Sequence, residues 1–429
     1  MTVHVSLQTS KENALALDKK DSLALYRNQF HIPKNVTGQQ TIYFCGHSLG
    51  LQPKRTETLV QQELELWKQR GVEGHFTGER PWLSYHEQLT DGLSELCGAL
   101  PIEVTAMNSL TVNLHLLLIS FYRPTTQRHK ILIEANAFAS DRYAVCSQIQ
   151  LHGFDPANSL IEIKPRSNEY LLRTEDILSL LEREGHTIAT VLLPGVQYLT
   201  GQYLDIQRIT HVAQQQGCTV GFDLAHAIGN MPLELHSWNV DFAAWCSYKY
   251  LNSGPGAIGG IFVHERHARD RKLPRLAGWW GHEKHTRFNM PHDFAPLSGA
   301  EGWQLSNPPI FACAPLLSSL EVFQSASLPR LRTKSLQLTG FLYKLLEIHC
   351  PNIKIITPRD STQRGCQLSL RLPMPSAAAK QIYDQLIAKG IVCDWREPDI
   401  IRVAPTPLYN TFTEVFTFVE ILQDMLKSA

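Results

Sequence analysis

Between Val104 and His264 the chain alternates short β-rich runs with stretches whose apolar residues recur at helical spacing, and this alternation limits the fold more than any other feature. The strand-like runs are 104–107, 130–135, 160–163, 189–193, 219–222, 242–245 and 258–263, and the helical patterns are 140–151, 174–184 and 206–216. Thr174-Glu175-Asp176 supplies an expected N-cap and acidic first turn, and Gly185 an expected stop. Strands separated by crossover helices make a mostly parallel sheet, here of seven strands, covered on both faces in a three-layer α/β domain. Ligands of such sheets collect at the carboxyl ends of the strands. The carboxyl-terminal third breaks the pattern. Helices at 328–350, 377–389 and 413–426, with strands at 367–372 and 400–403, predict a small α+β domain. The expected division is an amino-terminal segment, 1–60, packing with the small domain, a large domain, 61–310, and a small domain, 311–429. The joint falls at Ser306-Asn307-Pro308-Pro309, where two prolines forbid a continuing helix.

Two residues at expected strand ends carry chemistry. Asp223 closes the apolar run 218–222, and Lys249 follows the run 240–246. Taken singly, the aspartate reads as a helix cap and the lysine as a solvated surface residue. Together they suit pyridoxal phosphate, whose aldehyde a lysine amine binds as a Schiff base while a buried carboxylate keeps the pyridine nitrogen protonated. Such a cofactor also needs a phosphate cradle. Asn108-Ser109-Leu110-Thr111-Val112-Asn113, expected between a strand and a helix over 114–121, can aim free N–H groups and hydroxyls at an anion, or be a plain helix cap. Phe138-Ala139-Ser140-Asp141 is a second candidate, its ring either stacking on a cofactor or filling core. Arg402 lies in an otherwise apolar strand and suits bidentate capture of a substrate carboxylate, with a structural ion pair as the alternative. Gly278-Trp279-Trp280-Gly281-His282 is an aromatic, glycine-bounded loop fit for a ligand or an interface.

Composition excludes several classes. Forty basic and forty acidic residues cancel, leaving no bulk field for nucleic acid or an anionic membrane. The most apolar stretch, 114–122, is too short to span a bilayer, and the amino terminus has no apolar signal core. Nine scattered cysteines without a CxxC pair imply reduced thiols and a cytoplasmic setting. Among eighteen histidines, His282 and His285, like His264 and His267, lack the spacing of a helical metal motif, so no metal site is expected.

These runs, taken in order, resemble the kynureninase family, fold-type-I enzymes that use pyridoxal phosphate. The likeness rests on 45–53 (Cys-Gly-His-Ser-Leu-Gly-Leu-Gln-Pro), Gly74-His75 to Trp82, 107–115, 138–141, 198–202, 221–230, Ser247 to Asn252, Gly278 to Glu283, Ser306 to Pro309 and 402–410. It therefore extends from residue 45 to residue 410. The resemblance implies hydrolysis of L-kynurenine or its 3-hydroxy form to anthranilate or 3-hydroxyanthranilate and L-alanine, in tryptophan breakdown or NAD synthesis. It implies that Lys249 carries the cofactor and shuttles the α-proton, that Asp223 pairs with the ring nitrogen, and that His226 lies near the ring or supports Asp223. Leu110, Thr111 and Tyr248 would hold the phosphate. Phe138 would stack on the ring, with Ala139, Ser140 and Asp141 beside it. Trp279 and Asn307 would reach the cofactor from the partner subunit of a homodimer, and Arg402 would bind the α-carboxylate. Tyr248 is the expected proton donor. His75, Asn307 and Ser48 resemble the pocket that favours 3-hydroxykynurenine, with His282 also expected at the substrate. Three positions depart from the family pattern: His47 stands where Asn is common, Ala139 where Pro is usual, and Pro194 where a small hydroxyl residue is frequent. The competing reading is a cysteine desulfurase-like lyase, for which Cys366 is the one tempting nucleophile.

Overall fold

Every strand expected between residues 104 and 264 forms, within a residue or two of its expected ends. The computed structural model describes residues 10–428. The first nine residues of the expected amino-terminal segment, on which the expectation of no signal core partly falls, lie outside the described residues. Across the large sheet the strands run Val104–Ala106, Gly259–Val263, Phe242–Cys246, Thr219–Asp223, Ile188–Pro194, Lys130–Glu134 and Leu160–Ile163. Pairing is parallel from Phe242–Cys246 to the Leu160–Ile163 edge, and only Gly259–Val263 runs against its neighbours. A sheet covered on both faces needs strands that are apolar at successive positions, and Phe242–Cys246 and Gly259–Val263 are buried at every residue.

Successive side chains then enter different layers. Ile131, Ile133, Phe242 and Ala244 pack with Leu114, Leu117 and Phe121 of the helix Leu110–Phe121. Leu132, Val191, Phe222 and Trp245 face the other way, toward Ile177, Ile209 and Leu320. The Thr174–Glu184 helix has its expected span but not its expected ends. Arg173 occupies the cap, without a side-chain bond, and Thr174 is the first helical residue. Gly185 is right-handed (φ −56°) and leads into a short 3-10 turn, because the strand at Ile188 begins too soon for a left-handed stop.

The helix Ile310–Ala326 starts directly after Pro309 and buries Cys313, Leu316 and Leu320 in the core of the large sheet. The chain turns away only at Ser327, whose φ is +60°. Beyond it, Leu328–His349, Ser376–Ala388 and Phe412–Ser428 pack with a four-stranded antiparallel sheet ordered Asp394–Arg396, Ile400–Val403, Leu368–Arg371 and Lys354–Ile355. The amino-terminal segment is shared: Ala14 and Phe44 pack in this unit, whereas Leu23, Phe30, Leu51 and Leu59 enter the core of the large sheet. Ile42–Tyr43 pairs in parallel with Ile391–Val392. The Asp18 carboxylate accepts the Phe412 and Thr413 N–H groups at 2.7 and 3.0 Å, capping the last helix from far along the chain.

Candidate active site

Asp223, Glu134 and Pro194 are each the last residue of a central strand, so all three stand at the carboxyl edge of the sheet. Lys249 lies three residues beyond Phe242–Cys246 in a turn held from several sides. The Asn252 N–H donates to the Lys249 carbonyl at 3.0 Å, with Asn252 left-handed at φ 53°. The Ser253 hydroxyl donates to Ser247 Oγ at 2.6 Å. From the amino-terminal segment, the Gly50 N–H donates to the Tyr248 carbonyl at 2.8 Å. A Cβ at Gly50 would lie 2.3 Å from the Lys249 carbonyl oxygen, so only glycine allows this approach.

The turn aims Lys249 into a cavity lined by Ser109, Leu110, Thr111, Glu134, Phe138, Ser140, Asp141, Pro194, Tyr198, Asp223, His226 and Tyr248. Its Nζ is 3.0 Å from His226 Nε2 and 6.0 Å from the centroid of the Phe138 ring. Burial, then the charges of Lys249 and Arg402, hold the His226 imidazole well below its ordinary pKa. It is therefore neutral and bonds the lysine. Asp223 instead uses Oδ1 to accept the Ala225 N–H at 2.7 Å. Burial, followed by Cys246, raises the Tyr248 phenol, which keeps its proton at neutral pH.

At one end of the cavity the helix Leu110–Phe121 begins, earlier than expected, at the phosphate run itself. Asn108, left-handed at φ 46°, turns the chain there, and the Ser109 side chain makes no cap bond. The first-turn N–H groups of Leu110 and Thr111 are thus free to face an anion. Thr111 Oγ1 lies 2.6 Å from Ser140 Oγ, on the helix Ala139–Leu151 that begins just after Phe138.

At the other end three carboxyl groups converge. Burial, then Asp223, pushes Asp141 well above the ordinary carboxylate range. Burial raises Glu134 to about 7; a bond from Gln197 opposes the shift and the charge of Asp223 adds to it. Asp141 Oδ1 and His226 Nδ1 are buried with no hydrogen-bond partner. Orphaned polar atoms beside an acidic cluster call for a positively charged N–H donor. A protonated pyridine nitrogen meets that need, with a phosphate at the helix start, an aldehyde at Lys249 and a ring face against Phe138, itself 47% exposed. The residues present fit pyridoxal phosphate.

Arg402, its side chain 1% exposed, does make an ion pair, with Asp394 Oδ2 at 2.5 Å. It also donates to the Tyr198 carbonyl at 2.6 Å and to Ser48 Oγ at 3.3 Å. His47, from the same loop, is fully buried with both ring nitrogens unpartnered, and burial and Arg402 keep it neutral. Arg402 and Ser48 do not line the cavity but adjoin it at Tyr198, whose carbonyl Arg402 binds, and Ala139 sits between the lining residues Phe138 and Ser140. Four further expected residues are likewise absent from the cavity wall within one chain. Trp279 donates its indole N–H to the Arg287 carbonyl at 3.0 Å. His282 spends both ring nitrogens in its own loop, on Thr286 Oγ1 at 2.9 Å and the Ala295 N–H at 3.1 Å. His75 meets the Trp82 ring edge-on at 5.2 Å, and Asn307 is exposed. The bonds of Trp279 and His282 are thus made within their own loop.

Glu134, Gln197, Tyr198 and Asp394 were not expected as site residues. Glu134 had a signal in the sequence, an acid closing a buried apolar run just as Asp223 does. Gln197 is fixed by the turn after the neighbouring strand Ile188–Pro194: its Oε1 accepts the Leu199 and Thr200 N–H groups, both at 2.7 Å, which directs Nε2 at Glu134. Asp394 comes beside Arg402 only through antiparallel register.

Comparison with known proteins gives the family and the fold. Residues 331–422 match the kynureninase C-terminal domain model. The chain is 54% identical to a kynureninase of Koribacter versatilis over 97% of both chains. It is likewise 54% identical to a kynureninase of Myxococcus xanthus, over 99% of both. Among solved structures it resembles a cysteine desulfurase from Thermococcus onnurineus (TM-score 0.74, 17% identity, 91% of this chain and 95% of that one). It is also similar to the cysteine desulfurase CsdA from Escherichia coli (TM-score 0.76, 17% identity, 95% and 99%). At such identities these two show a shared fold, whereas full-length identity above one half shows the family: the chain belongs to the kynureninases.

Proposed function

We propose that this protein uses pyridoxal phosphate to hydrolyse the Cβ–Cγ bond of L-kynurenine or 3-hydroxy-L-kynurenine, releasing L-alanine and anthranilate or 3-hydroxyanthranilate. The observation that carries the reading is one cavity holding Lys249, a cluster of carboxyl groups and a helix start, in a chain 54% identical to kynureninases over nearly its full length. When bound, the cofactor supplies an electron sink beside the substrate's amino-bearing carbon.

The chain's own residues do the rest. The Leu110 and Thr111 N–H groups, the Thr111 and Ser140 hydroxyls and the Tyr248 phenol hold the phosphate. Asp223 keeps the ring nitrogen protonated, while burial favours the protonated forms of Asp141 and Glu134, so these two do not add full repulsion. Phe138 covers one ring face, and Ala139 adds a backbone N–H at a helix start. Lys249 anchors the cofactor and, once displaced by substrate, takes the α-proton on Nζ with neutral His226 as its hydrogen-bond partner. Arg402, with Ser48, binds the α-carboxylate. Tyr248 donates a proton as water adds to the γ-carbonyl and again as Cβ is released.

Trp279, His282, His75 and Asn307 act, on this reading, across the interface of a homodimer, completing the partner's cavity. Their absence from the wall of their own chain's cavity supports that role. An imidazole and a carboxamide suit the extra phenol of 3-hydroxykynurenine, which is the expected preferred substrate. A cytoplasmic setting fits nine cysteines of which none is paired. Among the described residues, no single helix is long and apolar enough to cross a membrane. Nothing favours a desulfurase chemistry at Cys366, which is 2% exposed and whose thiol burial raises to about 11.

The test is incubation of the purified protein and pyridoxal phosphate with each kynurenine, following fluorescent anthranilate and released alanine. Stoichiometric products and a higher kcat/KM for the 3-hydroxy form are expected. No product from either substrate overturns the function, and a clear preference for kynurenine overturns only the ring assignment.

A further inference from the structure

Arg402 is not the only cation beside Tyr198, a residue of the cavity wall. Asp394 and Arg402 face each other across antiparallel strands, and Arg396 lies on the same strand as Asp394. A single oxygen, Asp394 Oδ2, takes Arg402 Nε at 2.6 Å and Arg396 Nε at 2.9 Å. The other oxygen, Oδ1, accepts the Ser48 hydroxyl at 3.4 Å. Arg396 extends over the ring of Tyr198, 5.8 Å from its centroid, and Tyr198 lines the cavity. Side-chain exposure rises from 1% at Arg402 through 18% at Asp394 to 36% at Arg396, so the three groups run outward toward solvent. Two guanidinium charges against one carboxylate leave a single net positive charge.

We infer that Asp394 is a specificity-determining residue: by holding Arg402 and Arg396 through one carboxylate, it selects amino acids bearing one carboxylate over those bearing two. The inference rests on the assignment of Arg402 to the substrate α-carboxylate. One α-carboxylate neutralises the net charge that remains. A second carboxylate on the ligand side chain meets the Asp394 charge and finds Arg396 already engaged. Neutralising Asp394 removes that repulsion and frees Arg396 as a partner for the second carboxylate.

The experiment compares binding of L-alanine and L-aspartate to the cofactor-loaded protein, read from the change in cofactor absorbance. In Asp394→Asn the preference for alanine over aspartate should narrow by about tenfold or more. Arg396→Gln, at the most exposed member of the trio, should instead widen it, because the cluster then has no net charge. This second variant keeps the question open to refutation if Asp394→Asn fails to fold. A purely structural role for Asp394 would shift both ligands alike. An unchanged alanine-to-aspartate ratio in either folded variant, or a shift opposite to these, overturns the inference. A wild-type protein that cleaves neither kynurenine refutes the proposed function instead, a result separable from the binding ratio.

Discussion

Gly50→Ala puts the architecture of the lysine turn under direct test. Gly50 is far from Lys249 in sequence, yet a Cβ there would sit 2.3 Å from the Lys249 carbonyl oxygen, 2.4 Å from Asn252 Oδ1 and 2.7 Å from Asn252 Cα. Two of those atoms are backbone, and the third belongs to a buried asparagine that donates to the Tyr250 carbonyl at 2.8 Å. Restoring normal contact requires the turn to retreat by about 1 Å. Overpacking of this kind costs about 1–3 kcal/mol. Loss of the Gly50 N–H bond to the Tyr248 carbonyl adds about 1 kcal/mol. A shift of about 1 Å in a positioned group lowers turnover by roughly 100-fold. The assay pairs kcat at saturating cofactor with denaturant unfolding. Gly340→Ala is the control, since that glycine is inside the helix Leu328–His349 and an added Cβ meets nothing within 4 Å. The control should be neutral or stabilising by up to about 1 kcal/mol. Gly50→Ala with wild-type turnover and stability would refute the claim that this contact sets the position of Lys249.

Three further outcomes are expected. Arg402→Leu leaves Asp394 with the more exposed Arg396 and the Ser48 hydroxyl, so it should raise KM sharply and destabilise the fold by about 1.5–3 kcal/mol, checked by steady-state kinetics and urea titration. Tyr248→Phe should lower kcat while the cofactor content, measured by absorbance, stays near one per chain; full turnover would remove Tyr248 as the proton donor. Glu134, raised from 4.5 to about 7, contributes stability that is fully present below pH 4.5 and lost as pH climbs to about 7. In the cofactor-free protein, Glu134→Gln should therefore unfold later than wild type at pH 8, by on the order of 3 kcal/mol, and show no such advantage at pH 4. Equal differences at the two pH values would show that Glu134 does not carry this charge cost.

The large sheet was legible because its strands are buried on both faces and so read as unbroken apolar runs between helical patterns. Asp223 and Lys249 were legible for the same reason, since each ends or follows such a run. The grouping of Glu134 and Asp141 with Asp223 was not, because it depends on strand order: Lys130–Glu134 and Thr219–Asp223 both flank Ile188–Pro194, which no local pattern specifies. The pairing of Arg402 with Asp394 depends on register in the small sheet and was hidden likewise. The helix at Leu110 was placed four residues late, because the turn that starts it comes from the left-handed backbone of Asn108 and not from an N-cap side chain. The Trp279 loop could be recognised as special, but its hydrogen bonds to its own backbone could not.

The central claim is that Lys249, held by the Gly50 contact and aimed at His226, is the residue that anchors the cofactor. Borohydride reduction of the pyridoxal phosphate-loaded protein, followed by peptide mass analysis, tests it most directly. The account predicts one phosphopyridoxyl group per chain, on Lys249, and none in Lys249→Ala. A label on another lysine, or undiminished labelling in Lys249→Ala, would contradict it.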